Sequence, residues 1–166
     1  MLSKKGAQKT YSRSTVYHGA EYMLRFMSNL APIFKYDLES MLIVLSVALG
    51  NIQPVMNSPE LVERYDDIAL LVPEEYQTPM SRLSITRSTG LPRETVRRKV
   101  AGLIETGHLI EDARRGVRIA PGLFINSEPF RNAIAANEID LARLVRQLTR
   151  KREPAAPPAA PMAQAS

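Results

Sequence analysis

At 166 residues, with a net charge of +5 and 45% hydrophobic residues, the chain has the size of one compact domain or a small domain with extensions. It has no cysteine, which excludes thiolate nucleophiles, disulfides and every cysteine-containing zinc site. An isoelectric point of about 9.7 suits an anionic partner.

Residues 1–12 are polar and basic and show no periodicity, so they read as a disordered arm. Lys4, Lys5 and Lys9 either aid solubility or track phosphates. No apolar core follows them, as a signal peptide would require. From Ser14 the pattern turns helical: Val16, Ala20, Met23, Met27 and Leu30 share one face, widened by Leu24 and Phe26, until Pro32 stops it. Tyr22, Met23, Phe26 and Met27 are able to line a pocket for an unknown small-molecule effector, although a Met stripe at this spacing is more often ordinary core.

A second helix is predicted from Lys35 to Ile52. Leu38, Met41, Leu42, Leu45, Val47, Ala48 and Leu49 make it apolar almost all round. Such a helix must be covered on most sides, by a second subunit or by two other helices. Its most apolar run, Met41 to Leu49, is far shorter than the roughly 20 residues a bilayer span needs. Ser58 and Pro59 open a third helix that carries Leu61, Val62, Tyr65, Ile68 and Leu71. Asp66 and Asp67 lack a third ligand and read as a solvated face. Residues 16–78 hold three basic and nine acidic residues, an acidic region that phosphate repels.

The stretch from Thr78 to Pro121 is the most informative. Thr78 to Met80 can supply a short extra strand. Ser81 to Thr89 is a short helix ended by Gly90, which suits the left-handed conformation just past a helix. Leu91 plugs the corner, and Pro92 fits a first helical position. The next helix, 92–106, buries Val96, Val100, Leu103 and Ile104, which leaves Arg93, Glu94, Arg97 and Arg98 outward near its N-terminus. After Gly107, two apolar runs flank E-D-A-R-R-G and predict a hairpin at 110–119. Residues 79–120 carry nine Lys/Arg against four acids. The predicted fold is therefore mainly α with a small β-wing: a winged helix-turn-helix flanked by N- and C-terminal helices.

An Arg side chain can bond guanine O6 and N7 in bidentate fashion, and a carboxylate can accept from cytosine N4. The segment R-E-T-V-x-R, followed by L-x-x-x-G-x-L/I, resembles the helix-turn-helix of catabolite-activator-type (Crp/Fnr) regulators. The resemblance covers only about forty residues. It implies base readout by Arg93, Glu94 and Arg98, and phosphate contacts at Arg82 and Thr95. The cyclic-nucleotide β-roll of that family is absent, so neither its effector nor its dimer helix carries over. The helix-flanked layout is similar more broadly to MarR-like and other bacterial winged-helix regulators. From charge and position, Arg87, Arg97, Lys99, Arg114, Arg115 and Arg118 join the expected phosphate contacts.

Past Pro121-Gly122, Leu123 to Ile125 form a short apolar run, and Ser127 caps a last helix. Phe130, Ile134, Asn137, Leu141, Leu144 and Leu148 alternate by fours and threes, a seam suited to dimerisation, with Asn137 placed to fix register. The alternative is packing on the chain's own first helix. The tail from Pro154 is rich in Pro and Ala and reads as disordered. The expected organisation is an arm (1–12), a helical dimerisation region (13–72), a DNA-binding domain (73–126), a dimerisation helix (127–152) and a tail (153–166). The expected protein is a cytoplasmic homodimeric regulator that binds double-stranded DNA. Neither a membrane partner nor a cofactor or metal is expected. A winged helix that binds protein, or serves plasmid replication or partition without a specific operator, is the other reading. There is no phosphate-binding glycine loop, and His18 and His108 are far apart with no ligand set, so no enzyme is expected.

Overall fold

A computed structural model describes residues 12–113 and 116–150. The arm and tail lie outside these residues, apart from Ser12, and so do Arg114 and Arg115. The described chain is mainly helical with one small antiparallel sheet. The elements run α1 (Arg13–Leu30), α2 (Leu38–Met56), α3 (Pro59–Tyr65), α4 (Arg82–Thr89), α5 (Arg93–Glu105), β1 (Leu109–Asp112), β2 (Gly116–Ile119), α6 (Leu123–Asn126) and α7 (Glu128–Thr149). Single 3-10 turns sit at Ala31–Phe34 and Glu74–Tyr76.

Helix α2 is the centre. Asp37 caps it, accepting from the Ser40 N–H and hydroxyl. It runs through Pro54, four residues further than its apolar pattern predicts. By length and composition it would pass for a membrane span, with a mean hydropathy of 1.5. Instead Met41, Ile43, Val44, Val47 and Val55 are core residues, and α3, α4, α5 and β2 pack on it. Of the two covers expected for α2, the neighbouring elements of its own chain supply one. Leu49, at 71% exposure, remains uncovered.

The predicted helix pair is present. Ser81 caps α4 by accepting the Ser84 N–H, and Gly90 leaves the helix at φ 73°, where a side chain would be strained. Pro92 is the N-cap of α5 rather than its first helical residue. Ile85, Val96, Val100 and Leu103 join α2's buried residues in one cluster. The β1–β2 hairpin pairs Leu109 with Ile119 and Asp112 with Gly116. Met80 adds a bridge to Val117, with N–H···O bonds of 2.9 Å in both directions, where the sequence anticipates an extra strand.

One buried side chain ties these parts together. Asn51, 4% exposed, donates through Nδ2 to the Thr78 carbonyl (2.8 Å) and the Val117 carbonyl (3.4 Å). Its Oδ1 accepts from the Ile119 N–H at 2.9 Å. A Cβ at Gly50 beside it would overlap the Met80 side chain, which would have to shift.

Elsewhere the predicted boundaries shift. Helix α3 stops at Tyr65, so Ile68 and Leu71 lie in an irregular segment rather than on a helix. Ser58 and Ser127 stand at N-cap positions but make no side-chain cap bond. The apolar run after Pro121 is the short helix α6.

Helices α1 and α7 form an antiparallel hairpin. Phe34, just past α1, meets Phe130 at the start of α7 (ring centroids 5.8 Å), and the Tyr22 hydroxyl donates to Asn137 Oδ1 at 2.9 Å.

Replacing Asn51 by Leu keeps the branched outline of the side chain but adds bulk and removes the bonds to buried backbone groups of Thr78 and β2. It should lower unfolding free energy by about 3 kcal/mol. Urea denaturation measures this, and a loss below about 0.5 kcal/mol would show that Asn51 is not the tie described.

Candidate nucleic-acid interface

The arginines of α4 and α5 separate by environment. Val96, Val100 and Leu103 fix the buried side of α5. One residue from Val96, the chain turns about 100° and puts Arg97 in water; Arg98 and Glu94 lie still further round. Arg93, Arg98 and, at the end of α4, Arg87 are exposed and have no ion-pair partner among the described residues. They form a cationic surface around the exposed N-terminal half of α5. Thr95 is half-buried at its margin.

Three of the predicted contacts on this surface, Glu94, Arg97 and Arg82, are already paired. Arg97 donates to both Glu94 oxygens, at 2.9 and 2.6 Å. This hydrogen bond holds the Glu94 carboxyl below its usual range and raises Arg97. Both side chains are about 70% exposed (67% and 72%), so the pair is weak and exchangeable. Arg82 reaches from α4 to Glu111 of β1 at 2.8 Å and stays 41% exposed.

Two other predicted phosphate contacts are held by carboxylates of other elements, Lys99 half-buried and Arg118 buried. Lys99 lies near the buried stripe of α5, and its Nζ sits between Asp37 (2.5 Å) and Glu39 (3.5 Å) at the start of α2. Burial works against the Asp37 charge. Hydrogen bonds from Lys99 and Ser40 outweigh it and hold its pKa below the usual value. Lys99 is thus a clamp between two helices. Arg118 is only 4% exposed. Its Nε donates to Asp112 (2.7 Å) and its Nη2 to Glu74 (2.8 Å). Burial opposes its charge, and these two carboxylates more than restore it. Strand alternation turns Arg118 away from Val117 and Ile119, but the turn at Glu74–Tyr76 covers that side. The acidic pair Glu74-Glu75 upstream is the only hint of this in the sequence.

The predicted dimer seam divides too. Phe130 is core, Ile134 is half-buried, and Asn137 is occupied by Tyr22 of the same chain, so Asn137 does not set register for a second copy. Leu144 faces α1 beside Tyr22. Leu141 (44%) and Leu148 (47%) remain exposed, and Val145 (52%), which the heptad reading omits, stands with them. Helical spacing turns Val16 and Met23 of α1 to this same flank of the hairpin. The other flank is polar, with His18, Glu21, Arg25, Asp140 and Arg143. His18 Nδ1 lies 3.6 Å from Glu21. His108 packs on Phe34 and Phe130, and burial lowers its pKa. No cluster of metal-ligating residues occurs among the described residues.

Scans against protein-family models, curated proteins and solved structures returned no match to this chain.

The two kinds of arginine differ in a measurable way. Arg118→Ala removes a buried guanidinium that bonds Asp112 and Glu74 and should cost about 3 kcal/mol of stability. Arg98→Ala should change stability by less than about 0.5 kcal/mol. Equal losses in thermal or urea unfolding would erase the distinction.

Proposed function

We propose that this chain is a winged helix-turn-helix regulator that binds double-stranded DNA as a homodimer, in the cytoplasm. The observation carrying this reading is the exposed cationic face of α5 and α4, where Arg87, Arg93 and Arg98 have no ion-pair partner among the described residues, set on a helix whose other side is locked into the core. The element order supports it. Helices α2, α4 and α5 form a three-helix core, Met80 supplies a minimal first strand, and β1–β2 is the wing.

In this reading α5 enters the major groove by its N-terminal half. Arg93 and Arg98 bond guanine edges, and Glu94 accepts from a cytosine amine. Glu94 must leave Arg97 to do so, and Arg97 then turns to a phosphate. That exchange costs little, because the exposed pair is weak. Arg87 and Arg82 contact phosphates, joined by Arg114 and Arg115 from their position at the wing tip in the sequence. Lys99 and Arg118 hold the scaffold and touch no DNA. The acidic N-terminal region, repelled by phosphate, favours docking by the basic side.

The second copy packs on the apolar flank of the α1–α7 hairpin. Val16, Met23, Leu141, Val145 and Leu148 are each 44–64% exposed there, a patch larger than isolated surface residues would give. Two such hairpins make a four-helix bundle. A two-fold axis through it would present two copies of α5 to major grooves about 34 Å apart on an inverted repeat.

Duplex selection from a random library, followed by salt titration, tests the reading. The expected product is an inverted repeat. On it Arg98→Ala should cost about 1–3 kcal/mol and relax one base position, whereas Arg87→Ala should weaken all sequences alike. Salt-dependent binding without enrichment would mean an accessory role, and no binding at low salt would remove DNA as the partner. For the dimer, sedimentation should show a two-chain species that Val145→Glu with Leu148→Glu converts to monomer. A wild-type monomer would refute that interface.

A further inference from the structure

A cavity lies on the far side of β2 from α5. Its volume is about 380 Å³, within the range of pockets that hold drug-sized molecules. Five separate parts of the chain build it: α2, the end of α3, the irregular segment before Glu74, β2, and the turn into α6. A smaller recess of about 190 Å³ continues from it under the α1–α7 hairpin, and Ile68 and Phe124 line both. We propose that this cavity is a binding site for an uncharged, apolar, ring-containing organic molecule.

The chemistry of the walls selects that class. Ile52, Leu71, Ile119 and Leu123 give aliphatic surface, and Tyr65 and Phe124 give aromatic surface. The polar groups on the floor are engaged within the chain. Asn51 spends both ends of its amide on Thr78, Val117 and Ile119, and Arg118 is held by Asp112 and Glu74. Gln77 Nε2 donates to the Val72 carbonyl at 2.6 Å. A guest therefore meets no unsatisfied donor that would reward an anion.

The rim argues for occupancy. Ile68, Leu70 and Leu71 are 56%, 51% and 60% exposed, three large aliphatic residues in water around one opening. Burying apolar area there is favourable by about 25 cal/mol per Å². A second copy is a poorer occupant, since the walls form a recess rather than a flank, and the hairpin's exposed flank lies elsewhere. The inference does not depend on DNA binding.

Fluorescence titration of the full chain with N-phenyl-1-naphthylamine tests it, alongside 8-anilinonaphthalene-1-sulfonate, which has the same ring frame plus a negative charge. Saturable binding of one neutral probe per chain is expected, with the sulfonate at least about tenfold weaker. Ala48→Phe fills the cavity from α2, and Ile68→Asp puts a charge on the exposed rim without touching the core. Each should weaken the neutral probe by about tenfold or more. Val145→Glu with Leu148→Glu should leave it unchanged. No saturable binding overturns the proposal. So does binding that survives Ile68→Asp in a folded variant, that disappears with the hairpin substitutions, or that favours the sulfonate.

Discussion

The amide of Asn51 is the constraint on which the arrangement depends. An apolar helix such as α2 can slide or rotate against apolar neighbours at little cost, because hydrophobic contact is not directional. A buried amide cannot. Its two donors and one acceptor must each find a partner, since an unmet polar group in the interior costs more than the bond gains. Asn51 meets backbone groups on the Met80 segment and on β2, and the Thr78 N–H returns a bond to the Asn51 carbonyl. That fixes the azimuth of α2 relative to the small sheet. Because α4 begins at Arg82, two residues after Met80, and α5 leads directly into β1, the same bonds set where the cationic face points.

Local signals carried most of the legible structure. The α4–Gly90–α5 unit is written in short-range terms: a Ser cap, a glycine at the turn, and apolar residues at helical spacing. The hairpin is equally local. What escaped was decided by distant chain. Lys99 and Arg118 look like any other cation in a basic stretch, but their partners lie 62 residues upstream at Asp37 and in the turn at Glu74. A helical wheel does place Lys99 within about 60° of Val96, at the edge of the buried stripe, so its inward role was partly visible. The position of Arg118 was not, since strand alternation sends it outward and only the covering turn makes that side interior.

The seam on α7 shows a different limit. A heptad records that a helix has an apolar face; it does not record whose helix covers it. Here one pattern serves two ends. Its inner part closes on α1, with Asn137 met by Tyr22, and its outer part stays in water beside Val16 and Met23. Distance along the helix explains the division. Phe130 and Leu148 are 18 residues apart, about five full turns, and so share one azimuth, but Phe130 meets Phe34 at the core end while Leu148 stands at the far end of α7. Val145, outside the heptad, lies further round the helix on the uncovered side.

Asn51 also lines the cavity behind β2, and this joins the two ends of the molecule. A guest resting there would touch Ile119, whose N–H is bonded to Asn51, while Val117, two residues earlier, is bonded to Met80. On the opposite wall it would touch Phe124, which packs on Phe130 at the base of the hairpin (centroids 5.3 Å). The cavity therefore borders both the sheet that orients α5 and the helix that would orient a second copy.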